Sequence, residues 1–344
     1  MKKLLALLLC ALLMLALAAC GSTSTTTSTD TDQTDAAADG NTDAEPADAG
    51  DDTVYNIGIV QLVQHDALDL ATQGFQDALT EKLGENVSFD YQNASGDSAN
   101  CSTIVNGFLS DGVDLIMANA TAALQAAAAA TDTIPVLGTS ITDYATALDI
   151  TDWTGTIGNN ISGTSDLAPL DQQAEMIHDL FPDAESVGLL YCSAEPNSVY
   201  QCTEVERYLT DYGYTVTWYA FTDTNDVASV TQTACDNCDV IYVPTDNTAA
   251  NNTEAIANIV LPAGVPVVAG EEGICSGCGV ATLSISYYDI GYITGEMAYE
   301  ILVNGADVTE MAIEYAPEVT KEYNAANAEL LGVAIPDDYV AIEG

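Results

Sequence analysis

From Val54 onward, short runs rich in Val, Ile and aromatic residues alternate with longer stretches whose apolar residues recur at helical spacing. The first half reads as a strand over Val54–Val60, a helix over about Ala67–Leu83, a strand over Val87–Tyr91 and a helix over about Ser98–Asp111. A strand at Leu115–Ala118, an Ala-rich helix at Ala122–Ala130 and a strand at Ile134–Leu137 follow. Strands alternating with helices at this spacing predict a parallel sheet covered on both faces. The pattern then restarts: strand Val187–Tyr191, helix Val199–Tyr212, strand Thr215–Tyr219, helix Val227–Ala234, and strands at Val240–Val243, Val265–Ala269 and Val280–Ile285. The expected fold class is therefore α/β, with two Rossmann-like lobes joined by a hinge near Gly158–Gly163. Ligands in open α/β sheets bind beyond the carboxyl ends of the strands, so two such lobes face each other across a cleft that closes on its occupant. One strong helix, Ile290–Val303, opens a tail expected to cross back between the lobes. The expected boundaries are 53–160 for the first lobe, with about 288–316 returning to it, and 161–287 for the second, with about 317–344 packing on it.

Ahead of this body the pattern differs. Met1-Lys2-Lys3 is a short positive segment, and Leu4 to Leu17 is an almost unbroken apolar run, too short for a stable membrane span. It reads as a signal peptide over 1–19. The run closes on Leu17-Ala18-Ala19-Cys20-Gly21, which matches the lipobox of bacterial lipoproteins. Cys20 is thus the expected lipid attachment site, and diacylation there supplies two-chain anchoring. The remainder of 20–52 is Ser, Thr, Asp, Ala and Gly without a large apolar side chain, so it is expected to be a disordered acidic linker. The body that follows, roughly 290 residues, suffices for two lobes of ordinary size.

Charge narrows the partners. The chain carries 52 Asp and Glu against 5 Lys and Arg, a formal net charge of −47. No basic footprint exists for nucleic acid, and anionic headgroups repel such a surface. Past the signal peptide only Lys82, Arg207 and Lys321 remain as cations. A phosphate or dicarboxylate ligand has few partners here, and a neutral or zwitterionic one fits better.

Polar clusters fall where strands end. Gln64, His65 and Asp66 follow the first strand, Asn119 and Thr121 the third, and Ser140, Thr142 and Asp143 the fourth. In the second unit the matching ends carry Glu195, Asn197 and Ser198, then Asp246 and Asn247, then Tyr287. Each such residue is either a helix cap or a ligand contact, and their recurrence in both units points to a shared site.

Several strings in register across the body resemble one family. They are QLVQHDALD and QGFQDAL at the opening, NATAALQAAA, IPVLGTSITDY, GLLYCSAEPNSV, IYVPTDN, ISYYDIGYITGEMA and, near the end, AELLGVAIPDDY. From about Ile57 onward the chain resembles the substrate-binding lipoproteins of ABC importers related to the tryptophan/tyrosine-type binding proteins. Asp66 and Tyr144 stand where family members commonly carry Pro. The resemblance implies a type I periplasmic-binding fold, a monomer without cofactor or catalytic activity, and an ABC permease as membrane partner. It also implies an extracytoplasmic, lipid-anchored location and an aromatic or other hydrophobic amino acid as ligand. Such a ligand needs a carboxylate for its ammonium, for which Asp246, Asp143 and Glu195 are candidates. It needs donors for its carboxylate, and Thr121, Ser140, Thr142, Asn197 and Ser198 sit at expected helix starts. No Arg lies in these loops. Tyr287 or Tyr144 is placed to form an aromatic wall. A nucleoside, a sugar or a peptide-like compound is the alternative ligand, and a sensor presenting its closed form to a receptor is the alternative role.

The remaining chemistry is sparse. Glu195 and Asp246 form a carboxylate pair of the kind glycosidases use, but an acidic chain offers many such pairs. His178 is expected on a solvated helix face. No Walker loop, HExxH string or nucleophile elbow occurs. Cys235–Cys238 and Cys275–Cys278 are both C-x-x-C, and Cys192 and Cys202 flank another loop, leaving Cys101 alone. Such knuckles bind zinc in cytosolic proteins; in an exported chain disulfides are expected, with no metal. An exported redox protein using C-x-x-C is the competing class, and neither pair opens a thioredoxin-like helix.

Overall fold

The computed structural model describes residues 53–342, so the expected signal peptide, Cys20 and the acidic linker lie outside the described residues. Thirteen strands follow in chain order. They are β1 (Tyr55–Gln61), β2 (Val87–Asn93), β3 (Leu115–Asn119), β4 (Val136–Ile141), β5 (Ile161–Ser165), β6 (Ser186–Cys192) and β7 (Thr215–Phe221). The rest are β8 (Val240–Val243), β9 (Val267–Ala269), β10 (Ala281–Ile285), β11 (Glu314–Tyr315), β12 (Val319–Tyr323) and β13 (Val340–Ala341). The helices of the first half are α1 (Asp66–Leu83), α2 (Ser98–Asp111), α3 (Thr121–Ala130), α4 (Tyr144–Ala147) and α5 (Leu170–Leu180). Those of the second are α6 (Pro196–Asp211), α7 (Val227–Cys235), α8 (Asn247–Ala250), α9 (Thr253–Ala263), α10 (Glu272–Cys278), α11 (Tyr287–Leu302) and α12 (Ala325–Leu331).

The strands form two sheets, ordered β2-β1-β3-β4-β5-β11 and β7-β6-β8-β9-β10-β12-β13. The first is parallel throughout; the second is parallel except where β12 runs against β10. Strand interiors are continuous apolar runs because helices cover both faces. In β3, Leu115 and Met117 point toward the core shared with Phe75, Leu79 and Met297, while Ile116 and Ala118 point toward Val105, Phe108 and Leu124. The second sheet repeats this alternation, with Val240 and Tyr242 on one side and Ile241 and Val243 on the other.

Residues 161–165, expected to begin the second lobe, form β5 and pair with β4 in the first sheet. The boundary therefore falls after Ser165. The strand Ile-Ser-Gly-Thr-Ser escapes a hydrophobic pattern because its burial is met by hydroxyls and a close approach rather than by large side chains. Ser162 Oγ donates to Met311 O at 3.1 Å, Thr164 Oγ1 lies 2.8 Å from Thr294 Oγ1, and Ser165 Oγ donates to Thr142 O at 3.0 Å. Gly163, at φ +141°, sits so near β4 that a Cβ there would meet Gly138 O at 2.0 Å. Helices α5, α9, α10 and α12 and the short strands β11–β13 were likewise outside the sequence-based expectation.

After β10 the chain crosses back and α11 packs along α1. The contact is backbone to backbone: a Cβ on Gly291 would fall 2.0 Å from Ala71 O, and one on Gly74 would fall 2.1 Å from Tyr288 O. Lobe and returning helix are thus locked by a seam only glycine permits.

The cysteines correct an expectation. Cys192, Cys202, Cys235, Cys238, Cys275 and Cys278 are free thiols, as is Cys101. Cys275 and Cys278 lie on α10 inside an apolar core, where Cys278 Sγ donates to Ile274 O at 3.3 Å. Cys192 Sγ donates to Thr222 O at 3.6 Å and Cys238 Sγ to the Tyr219 hydroxyl at 3.4 Å. Burial pushes the Cys192 and Cys235 thiols up to about 11, which keeps them protonated and unreactive.

Candidate functional site

The carboxyl ends of both sheets converge on one cavity, with about 290 Å³ of empty space including its opening to solvent. The first lobe and its returning helix supply His65, Leu68, Ser140, Asp166 and Tyr287; the second lobe supplies Asn197, Thr245, Asp246, Asn247, Ala250 and Glu271. His65, the N-cap of α1, spans the gap, with Nε2 lying 3.2 Å from Asn247 Oδ1. Burial holds its imidazole below the usual histidine range, favouring the neutral ring.

On the first-lobe side, Asp166 follows β5 and is buried. Its Oδ2 accepts from the Tyr287 hydroxyl at 2.9 Å, whereas Oδ1 has no hydrogen-bond partner. Burial raises its carboxyl, and the Tyr287 and Thr142 hydroxyls oppose that rise. Ser140 is held at φ +56°, and its buried Oγ also lacks a partner. Strain and an unpaired hydroxyl together at a cavity wall mark a position kept for a ligand.

On the second-lobe side the polar groups are committed to the protein. Asp246 caps α8, accepting from Ala249 N at 2.8 Å and Cys192 N at 2.6 Å. Burial, then the nearby Glu195 carboxylate, raises its carboxyl. Glu271 follows β9 and caps α10 through Gly273 N and Ile274 N, and burial pushes it up to about 7. Asn197 Nδ2 donates to Thr245 O at 3.0 Å.

Six of the residues singled out from sequence therefore line the cavity: His65, Ser140, Asn197, Asp246, Asn247 and Tyr287. The others do not. Gln64 is exposed and lines an adjoining cleft together with His65 and Glu271. Asn119 donates to Leu68 O at 2.8 Å, fastening β3 to α1, and Thr121 is buried at the start of α3. Asp143 caps α4 by accepting from Thr146 N at 2.7 Å. Glu195, a candidate ammonium partner, instead spends both oxygens on the start of α8, accepting from Asn247 N at 3.0 Å and Thr248 N at 2.9 Å. Thr142 and Ser198 are buried behind the wall, beside Asp166 and Asp246. Tyr144 is core, its hydroxyl donating to Gly138 O and Thr164 O, both at 3.0 Å. Asp166 and Glu271 were missed, although each obeys the strand-end rule, because β5 went unread and the Glu271-Glu272 pair was not weighed.

A family model described as ABC transporter substrate binding protein matches residues 56–342, nearly the whole described body. The chain belongs to this family. It is the solute-binding component of an ABC importer, works outside the cytoplasm and is not an enzyme. Among its relatives is a tyrosine-binding protein of Clostridioides difficile, 36% identical over 250 residues that span 72% of each chain. A crystal structure of an ABC domain from Streptococcus pneumoniae in complex with L-Trp is 32% identical, with a TM-score of 0.79 over 83% of this chain and 97% of that one. A ligand-free, open substrate-binding protein with adhesive properties from Clostridium difficile is 34% identical, with a TM-score of 0.66 over 84% and 99%. This substrate-binding protein thus superposes better on the liganded relative than on the open one, in keeping with the His65–Asn247 contact between its lobes. Among the described residues no helix is long and apolar enough to cross a membrane.

Proposed function

We propose that the cavity captures an aromatic amino acid of the tyrosine or tryptophan type for delivery to an ABC permease. The observation that carries this reading is Asp166 Oδ1, a buried carboxylate oxygen without a partner in a cavity formed by both lobes. An ammonium there completes a charge-assisted hydrogen bond. Ser140 Oγ, on the same lobe, is placed to donate to the ligand carboxylate, and Tyr287 offers its ring as a wall. The ligands of the two relatives, tyrosine and L-Trp, agree with that chemistry. In this reading the protein acts as a monomer held at the extracytoplasmic face of the cell membrane by lipid on Cys20. Two lobes are part of this reading, built around the sheets β2-β1-β3-β4-β5-β11 and β7-β6-β8-β9-β10-β12-β13.

A thermal-shift screen against the common amino acids, nucleosides and simple sugars tests the ligand, since binding raises the melting temperature by mass action. Tyrosine, tryptophan or phenylalanine should give the largest shift. A sugar or nucleoside giving a larger one would overturn the reading. Radiolabelled palmitate incorporated by the native chain and absent from Cys20→Ala tests the anchor.

A further inference from the structure

The cavity is lopsided in charge. Asp166, Asp246 and Glu271 face it, and no Lys or Arg does. The three cations among the described residues sit in surface pairs, Lys82 with Glu296, Arg207 with Glu204 and Lys321 with Asp338. Three of its neutral side chains already donate within the protein. Tyr287 donates to Asp166, Asn247 Nδ2 to Glu195 at 2.8 Å, and the Thr245 hydroxyl to Gln201 Oε1 at 2.6 Å. The longest helix start at the cavity, that of α1, carries Asp66 and Asp69 in its first turn, which offset its attraction for an anion. Among the buried side-chain atoms of the cavity, Asp166 Oδ1 and Ser140 Oγ lack a partner. That pair offers a carboxylate oxygen to an ammonium and only one neutral hydroxyl to a carboxylate.

We infer that the site recognises the ammonium and the ring of its ligand and gains little from the α-carboxylate, so that arylalkyl amines, the decarboxylated counterparts of aromatic amino acids, are ligands of the same cavity. The inference rests on the reading of this cavity as the ligand site. An amine brings one positive charge to a cavity lined by three carboxyl groups; the zwitterion brings the same charge together with a negative one that finds no Lys or Arg to pair with. Removing the carboxylate forfeits the hydrogen bond from Ser140 and removes a buried negative charge without a cationic partner.

Calorimetry on the full chain decides this with three sets of probes: tyrosine and tryptophan, tyramine and tryptamine, and the corresponding arylpropionic acids that lack the amine. Each amine should bind within about threefold of its amino acid or more tightly, and each acid about a hundredfold more weakly. Asp166→Asn should weaken amine and amino acid by the same factor, whereas Ser140→Ala should weaken only the amino acid. Amines binding more than about tenfold below amino acids that still bind would overturn the inference and leave the site standing. Binding by neither class would remove the site reading, and this inference with it.

Discussion

The two walls of the cavity are built differently. The second-lobe wall is closed on itself: Asp246 and Glu271 hold the first turns of α8 and α10, and Asn197 holds Thr245. The first-lobe wall keeps Asp166 Oδ1 and Ser140 Oγ without partners. Polar groups that already stabilise the fold are costly to redirect, whereas a buried oxygen without a partner gains a whole interaction when a ligand arrives. In this reading the first lobe is the recognising surface, and the second is a preformed wall of carboxyl groups already committed to the fold.

The sharpest way to break this contrast is Asp166→Asn, which keeps the Tyr287 contact and removes the charge. Ligand affinity should fall about a hundredfold, ~3 kcal/mol, with the melting temperature unchanged or raised. A fall in both would make Asp166 a structural residue like its counterparts opposite. Asp246→Ala comes next. It should cost about tenfold in affinity and also ~2 kcal/mol of stability, because α8 loses its cap and Cys192 N its acceptor. An unchanged denaturation midpoint would erase the distinction between the walls.

A pH titration probes both walls together. The folded state holds a proton on Glu271 up to about 7 where the free carboxyl releases it near 4.5, so the folded state binds more protons between those values. Ligand-free stability should therefore rise as pH falls through that window and level off below it. Ligand affinity should run the other way, falling up to about tenfold as Glu271 becomes protonated, because the ammonium at Asp166 then loses a second negative charge in the same cavity. Calorimetry in buffers of different ionisation enthalpy should register proton release on binding. Ser140→Ala should weaken amino-acid binding by about threefold with no loss of stability. The smallest effect belongs to Asp143→Ala, which should lower stability by up to about 1 kcal/mol through the α4 cap and leave affinity untouched.

Sequence patterns carried the layer architecture because strands buried on both faces are apolar along their whole length, as in Leu-Ile-Met-Ala-Asn of β3. They failed at β5, whose burial is met by Ser and Thr hydroxyls and a glycine contact. At the site, position was more legible than role. Strand ends pointed to Asp246, Glu195 and Asp143 alike, and all three accept from the N–H groups of a helix start; only the folded cavity separates Asp246, which lines it, from Asp143 and Glu195, which do not. A cap and a ligand contact use the same residue types at the same place. The resemblance named the ligand class, but not which carboxyl would meet it, since Asp166 lies just past the expected hinge in a stretch assigned no strand or helix.

The glycine seam between α1 and α11 has a consequence for how the molecule is made. The core that packs Phe75 and Leu79 of α1 against Met117 of β3 is completed by Met297 of α11, which comes after the second lobe's strands β6 to β10 in the chain. The lobe synthesised first is thus finished last, after the strands of the second lobe from β6 to β10 have been laid down between its parts. A chain that crossed a membrane unfolded, as the expected signal peptide implies, would have no complete first-lobe core to collapse onto until most of its length had passed.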